Sequence, residues 1–190
     1  MAQDIKTADI AIIGTGPAGI SAAITAKIRN KEILLFGAEP VSSKVAKAHQ
    51  ILNYPGLPAV SGEELAQAYK RHLDELQIAV TKKRVHAVYA MGSYFAIQAG
   101  QEQYRADSVI LACGMTADKP FPGENEFLGR GVSYCATCDA QFFKGKTVAV
   151  IGYTKESVEE AQYLAEIVGK VLYFPMGKEA VLPELSGNIE

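Results

Sequence analysis

A chain of 190 residues that is 48% hydrophobic and 21% charged has the composition of one large globular domain or two small ones. Its net charge of −2 gives no sign of a nucleic-acid partner, and three cysteines do not make a secreted disulfide scaffold. Met1 to Lys6 lacks the apolar core of a signal peptide and no apolar run approaches a membrane span, so a cytoplasmic protein without a membrane partner is expected.

In chain order, Asp9 to Ile13 is a near-continuous apolar run, the pattern of a strand buried on both faces of a parallel sheet. The glycine-rich loop Gly14-Thr15-Gly16-Pro17-Ala18-Gly19 follows, and Pro17 to Asn30 then carries Ala and Ile at helical spacing. Ile33 to Phe36 is a second buried strand, which completes a βαβ unit. Ser61 and Glu64 have the spacing of a capping box and open a helix through Leu65, Ala68, Tyr69, His72 and Leu76. Val85 to Ala90, Tyr94 to Gln98 and Gln103 to Ala106 read as a small antiparallel meander, and Val109 to Ala112 as a further buried strand ending at Cys113-Gly114.

The run 119–123, with two prolines and a glycine, is expected to link a first domain, 1–117, to a second, 118–190. The second should hold a strand from Thr147 to Gly152, a helix over 155–168 with Val158, Ala161, Leu164, Ala165 and Val168 on one face, and a strand from Val171 to Phe174. Val148 to Gly152 weakly repeats Ile10 to Gly14. One βαβ unit cannot cover both faces of its sheet, so the chain is expected to be the front of a longer protein or to need a partner segment.

In Gly14-x-Gly16-x-x-Gly19 the first glycine suits a tight turn, the second a close approach of backbone to a pyrophosphate, and the third close helix–strand packing. The helix N-terminus adds free N–H groups and partial positive charge. A ribose-binding acid belongs near the end of the second strand. Gly37 stands there and Glu39 lies two residues later, as a ribose ligand or a plain surface residue.

Cys135-Ala136-Thr137-Cys138-Asp139 sets two cysteines at i and i+3, on one helical face, a spacing that permits a short-loop disulfide. A helix N-terminus would stabilise the thiolate of the exposed member, and Asp139 adjoins the pair as a proton donor and acceptor for exchange. Half a zinc site and inert packing are the competing readings. Zinc needs four ligands, and only Cys113 with the scattered His49, His72 and His86 remain. Cys113, at a strand end, is expected to be a small core residue. A Cys-x-x-Cys pair beside a dinucleotide loop implies a flavin exchanging electrons with a disulfide.

These residues resemble the low-molecular-weight thioredoxin reductase family over nearly the whole chain. The resemblance rests on Gly14 to Gly19, Asn53-Tyr54-Pro55-Gly56, Ala112-Cys113-Gly114, Gly129-Arg130-Gly131-Val132, Cys135 to Asp139, and Val148 to Gly152. It implies a doubly wound, Rossmann-like α/β fold, with an FAD-binding domain (here 1–117) and an inserted pyridine-nucleotide-like domain bearing the cysteines (the start of it, 118–190), incomplete at the C-terminus. It implies FAD as cofactor, held by the glycine loop, Gly37, Glu39, Lys44, Asn53 and Gly114. Cys138 would face the flavin, Cys135 would attack a thioredoxin disulfide, and Asp139 would act as acid and base. A homodimer is implied as well.

Two departures concern the electron donor. Where NADPH-using members carry Gly-x-Gly-x-x-Ala, this chain reads Gly152-Tyr153-Thr154-Lys155-Glu156-Ser157, with Thr154 in place of the glycine that meets the pyrophosphate. Where they carry paired arginines for the 2′-phosphate, it reads Pro175-Met176-Gly177-Lys178. Both point to the subgroup that draws electrons from reduced ferredoxin. Lys82-Lys83-Arg84 is a candidate docking patch for that acidic partner, against a plain solvated loop. The alternatives are an NAD(P)H-dependent thioredoxin or peroxiredoxin reductase, and a non-catalytic FAD-binding redox module.

Overall fold

The computed structural model describes residues 5–114, 120–176 and 187–190, with nothing said of the side chain of Asn125. It divides into two compact units, Met1–Gln50 with Val60–Asn125, and Ile51–Ala59 with Glu126–Glu190. The expected domain boundary at 117/118 and the start of the expected linker lie outside the described residues.

Unit 1 is a six-stranded sheet ordered β3-β2-β1-β6-β5-β4. β1 (Lys6–Ile13) pairs in parallel with β2 (Ile33–Phe36), connected by α1 (Pro17–Ile28), and β2 pairs in parallel with the short β3 (Val80–Thr81). A short α2 (Ser43–Lys47) and the longer α3 (Gly62–Glu75) fill the β2–β3 crossover. Ser61 caps α3 as its spacing with Glu64 predicts. The Ser61 hydroxyl accepts from the Glu64 backbone N–H, and the Ser61 N–H donates to the Glu64 carboxylate at 3.0 Å. That bonding, led by the Ser61 hydroxyl, holds the Glu64 carboxyl below its ordinary range. The buried stripe of α3 is Leu65, Tyr69 and Leu73, while His72, expected on that face, is exposed.

β4 (Val85–Ala90), β5 (Phe95–Ala99) and β6 (Glu102–Leu111) form the antiparallel meander. The two segments expected at 103–106 and 109–112 are one strand. The first half of β6 pairs antiparallel with β5 while the strand also runs parallel to β1, from Lys6↔Tyr104 to Ile13↔Leu111. Asp107-Ser108 therefore continues the ladder, and the Ser108 hydroxyl donates to the Asp9 carbonyl at 3.1 Å. The end of β6 is not the buried strand expected: Ile110 and Leu111 are 38% and 71% exposed. One face of the sheet buries Ala11, Phe36, Ile97, Ala99, Tyr104 and Ala106, with Phe36 and Tyr104 edge-to-face at 5.0 Å between ring centres. Ile20 and Ala23 of α1 are fully buried where that helix packs on β1, β2 and α3.

In unit 2, α4 (Glu124–Phe127, which begins at the edge of unit 1) precedes α5 (Ala136–Asp139) and a 3-10 turn over Ala140–Phe143. β7 (Thr147–Gly152), α6 (Glu156–Ala165) and β8 (Lys170–Pro175) form the second parallel βαβ unit. The helix ends earlier than 168. Val168 is nevertheless buried, in a core with Ala140, Ala161, Leu164, Val171, Tyr173 and Ile189. Asn188 to Glu190 runs beside β8 through a parallel bridge, Val171↔Ile189, and Glu190 N–H donates to the Val171 carbonyl at 2.9 Å. The periodicity of the sequence gives no hint of this third, very short partner. Among the described residues, no helix is long and apolar enough to cross a membrane.

Candidate functional site

The glycine loop sits at the carboxyl end of β1, where its two neighbours, β2 and β6, diverge into different connections. In open α/β sheets that crevice is where ligands bind. Three glycines there have three separable duties. Gly14 has φ +125°, a conformation that favours glycine, and any Cβ on it would strike the Ala112 carbonyl. A Cβ on Gly19 would strike the Gly14 carbonyl, so this glycine lets α1 lie against the loop. A Cβ on Gly16 would meet nothing within 4 Å. Its glycine character therefore serves no packing inside the protein and leaves the loop's backbone open to a ligand.

Helix α1 adds the electrostatic half. Gly16 is its N-cap with no side-chain cap, Pro17 stands in its first turn, and that turn holds no acid. Pro17 and Ala18 are exposed at this end. The backbone donors and the positive end of the helix dipole are left for an external anion. Thr15, 6% exposed, serves the frame: its hydroxyl donates to the Glu39 carbonyl at 2.9 Å, and its own carbonyl accepts from Ser42 N–H at 2.9 Å. Thr15 also packs so close to Gly37 that a Cβ there would overlap its side chain. The loop, Gly37 and the backbone of Glu39 thus form one cluster with an exposed Glu39 side chain beside it. This arrangement fits the diphosphate and ribose of a dinucleotide.

Gly114 has φ +66° at the exposed end that follows β6, beside the same strand terminus. Cys113 is exposed, with its thiol 3.7 Å from the Ile13 carbonyl. The expectation of a core residue is corrected, because Cys113 follows the end of β6, where Ile110 and Leu111 are also exposed. Lys44 lies on the exposed side of α2. Asn53 belongs to unit 2, while the loop cluster belongs to unit 1.

In unit 2, Cys135 and Cys138 form a disulfide, with Cα atoms 5.3 Å apart. They do not share a helical face as the spacing alone suggests. Cys135 is extended (φ −143°, ψ +101°) and caps α5, while Cys138 lies within it. A short helix that starts between the two cysteines brings the sulfurs within bonding reach across a four-residue segment. Ser133 shapes the approach, its hydroxyl accepting from Cys135 N–H at 3.1 Å. The Cys138 N–H donates to Cys135 Sγ at 3.2 Å, and Thr137 Oγ1 lies 3.6 Å from the same sulfur. The Asn53 amide donates to Cys138 Sγ at 3.7 Å. Both cysteines and Asp139 are half-buried. Among the described residues, no group of three or more His, Cys, Asp and Glu is placed to hold a metal.

The second βαβ loop is built differently from the first. A Cβ on Gly152 would overlap the Tyr173 and Ser157 hydroxyls, which lie 2.9 Å from each other. Glu156 opens α6, and Glu159 joins it in the first turn. The Thr154 hydroxyl, followed by Glu156's own backbone N–H, bonds the Glu156 carboxylate and holds it below the ordinary range. An internal anion thus occupies the helix end that takes a phosphate in a nucleotide site. Of the residues expected at the 2′-phosphate position, Pro175 and Met176 are exposed, and Gly177 and Lys178 lie outside the described residues. In Lys82-Lys83-Arg84, Lys83 is ion-paired with Glu102, which leaves exposed Lys82 and Arg84 beside it.

Residues 8–189 match the model of the pyridine nucleotide-disulphide oxidoreductase family. The chain belongs to that family. It is 36% identical over 167 residues to a thioredoxin reductase of Bacillus subtilis (strain 168), covering 87% of this chain and 53% of that protein. Among solved structures, it is 49% identical to a ferredoxin-flavin thioredoxin reductase from Clostridium acetobutylicum, with a TM-score of 0.58, covering 98% of this chain and 65% of the other. A thioredoxin reductase from Streptococcus pyogenes MGAS5005 aligns with a TM-score of 0.76 at 32% identity, covering 92% of this chain and 57% of the other. The chain thus spans about half the length of the curated relatives it matches.

Proposed function

We propose that this chain is the FAD-binding and redox-disulfide portion of a thioredoxin reductase that draws its electrons from reduced ferredoxin rather than NADPH. The observation that carries the reading is the Cys135–Cys138 disulfide at the start of α5, followed at once by Asp139, in a family member that also has an open glycine loop. Bound FAD supplies a two-electron carrier. The residues of the chain do the rest. Gly16 and the uncapped start of α1 bind the diphosphate, and Thr15 holds Gly37 and Glu39 in place beside it. Glu39 is proposed at the ribose, with Lys44, Asn53 and Gly114 as further FAD contacts.

Two electrons open the disulfide. The Cys135 thiolate then attacks one sulfur of the oxidised thioredoxin disulfide, expelling the other as a thiolate. The Cys138 thiolate attacks Cys135 Sγ, regenerates the internal disulfide and releases reduced thioredoxin. Asp139 gives its proton to the departing thioredoxin thiolate and is recharged from the dithiol state of the pair.

The ferredoxin reading draws support from the second loop. A pyrophosphate at α6 would face the carboxylates of Glu156 and Glu159, and the space behind Gly152 is taken by the Tyr173 and Ser157 hydroxyls. The ferredoxin-flavin relative at 49% identity supports the same choice. Units 1 and 2 are proposed as the FAD domain and the redox domain, in a cytoplasmic homodimer. The deciding experiment offers NADPH, NADH or reduced ferredoxin to the FAD-loaded protein and follows thioredoxin thiols. Thioredoxin reduction with ferredoxin alone is expected. Turnover with micromolar NADPH would replace the donor, and no turnover with any donor would leave a non-catalytic redox module.

A further inference from the structure

The stretch Ile51–Ala59 lies between α2 and α3 in sequence, yet its contacts place it in the unit of the disulfide. It puts one polar side chain on a sulfur, the Asn53 amide Nδ2 at 3.7 Å from Cys138 Sγ. The two sulfurs therefore have donors of different origin. Cys135 Sγ is served from within the Cys-x-x-Cys segment, by Cys138 N–H at 3.2 Å and by Thr137 Oγ1 at 3.6 Å. Cys138 Sγ is served from a distant segment of the chain.

We propose that Asn53 is a positioning residue for the Cys138 sulfur, donating its amide N–H to the thiolate that forms when the disulfide opens. The proposal rests on the reading of this pair as redox-active. Its physical basis is a difference between oxidation states. A disulfide sulfur is a weak acceptor, whereas a thiolate accepts a charge-assisted hydrogen bond roughly twice as strong as a neutral one. The amide therefore favours the reduced state. It also raises the thiolate fraction of the thiol that must close the internal disulfide.

The effect can be read with an added small dithiol as the reductant. Its thiolate attacks Cys135 Sγ, the Sγ–Sγ bond breaks, and the electron pair leaves on Cys138 Sγ as a thiolate beside Asn53. The reductant's second thiolate then attacks its own bound sulfur. This closes a cyclic disulfide and expels the Cys135 thiolate. The two protons given up by the reductant's thiols remain available to the two cysteines.

The test equilibrates the whole chain in dithiol buffers at pH 7 and measures the oxidised fraction for wild type, Asn53→Ala and Asn53→Asp. Asn53→Asp keeps the shape but replaces the N–H donor by an acceptor. Both variants should be about tenfold harder to reduce, a potential about 30 mV more negative. Residual Cys138 should show a correspondingly smaller ultraviolet thiolate absorbance in a Cys135→Ser background. Cys135 in a Cys138→Ser background should not change with Asn53→Ala. A wild-type potential in both Asn53 variants, or an equal change at Cys135, overturns the proposal. Because no flavin, ferredoxin or thioredoxin enters this measurement, it is separable from the function proposed above. A shifted potential without any thioredoxin turnover would sink only that function, and thioredoxin turnover with an unshifted potential would sink only the role of Asn53.

Discussion

Replacing Gly16 and Gly19 one at a time should separate ligand binding from folding within a single loop. Gly16 has φ −81° and ψ −177°, which alanine adopts freely, and its added Cβ would meet no protein atom within 4 Å. Losing glycine at an N-cap costs about 0.5–1 kcal/mol, and the stiffer unfolded chain returns about 0.4–1 kcal/mol, so Gly16→Ala should fold as well as wild type. The same methyl would stand between the backbone and a pyrophosphate. Losing one charge-assisted N–H bond there costs about 1.5–3 kcal/mol, which weakens FAD binding about 10- to 150-fold. Gly19→Ala should behave in the opposite way. Its Cβ overlaps the Gly14 carbonyl, so helix and loop must separate, at about 1–3 kcal/mol. That corresponds to about 2–4 °C in Tm for each kcal/mol lost. Thermal melts without cofactor and FAD titrations by fluorescence quenching give both quantities. Wild-type FAD affinity in Gly16→Ala, or an unchanged melt in Gly19→Ala, would refute this division of labour.

Ser61→Ala should remove about 1 kcal/mol by uncapping α3. Because the Glu64 carboxyl is depressed only in the folded state, its contribution is present above the ordinary glutamate pKa and fades as pH falls through the folded value. The gap between wild type and Ser61→Ala in chemical denaturation should therefore narrow in acid, and a constant gap down to pH 3 would count against the capping box. Cys135→Ser and Cys138→Ser should each abolish thioredoxin reduction, measured by thiol release, whereas full activity in either would end the redox-pair reading. Asp139→Asn should keep FAD bound and slow turnover about 10²–10⁴-fold, and unaltered turnover would remove Asp139 from proton transfer. Glu156→Ala should not confer NADPH turnover, because the Tyr173 and Ser157 hydroxyls still fill the space behind Gly152; a gain of NADPH activity from that one change would locate the whole block in the carboxylate.

What was legible in the sequence is what short-range physics dictates. β7 is legible to the residue, and the Ser61–Glu64 box to its hydrogen bonds, because each depends on neighbours a few positions apart. The glycine loop was legible for the same reason. The errors arise where a distant segment decides. Asp107-Ser108 looks like a break, but β1 lies alongside it and carries β6 through as one strand. Cys113 looks like core because it ends an apolar run, yet the strand's last two residues, on opposite faces, are both exposed. α2 and β3 are not legible, because five and two residues carry too little periodicity. Asn53 near Cys138 joins positions far apart in the chain, and no local pattern encodes that contact.

The two βαβ loops show how one backbone plan presents opposite electrostatics through a handful of side chains. At α1, no acid, no side-chain cap and an open Gly16 leave the helix dipole unspent toward outside charge. At α6, the Glu156 carboxylate stands in the first turn, bonded by the Thr154 hydroxyl, and Ser157 with Tyr173 closes the glycine's free side. A carboxylate in the first turn offsets the positive helix end that would otherwise attract a phosphate. A strand–turn–helix resemblance alone cannot tell the two cases apart. The residue at the second glycine position and the first acid of the helix can, and here both stand against phosphate.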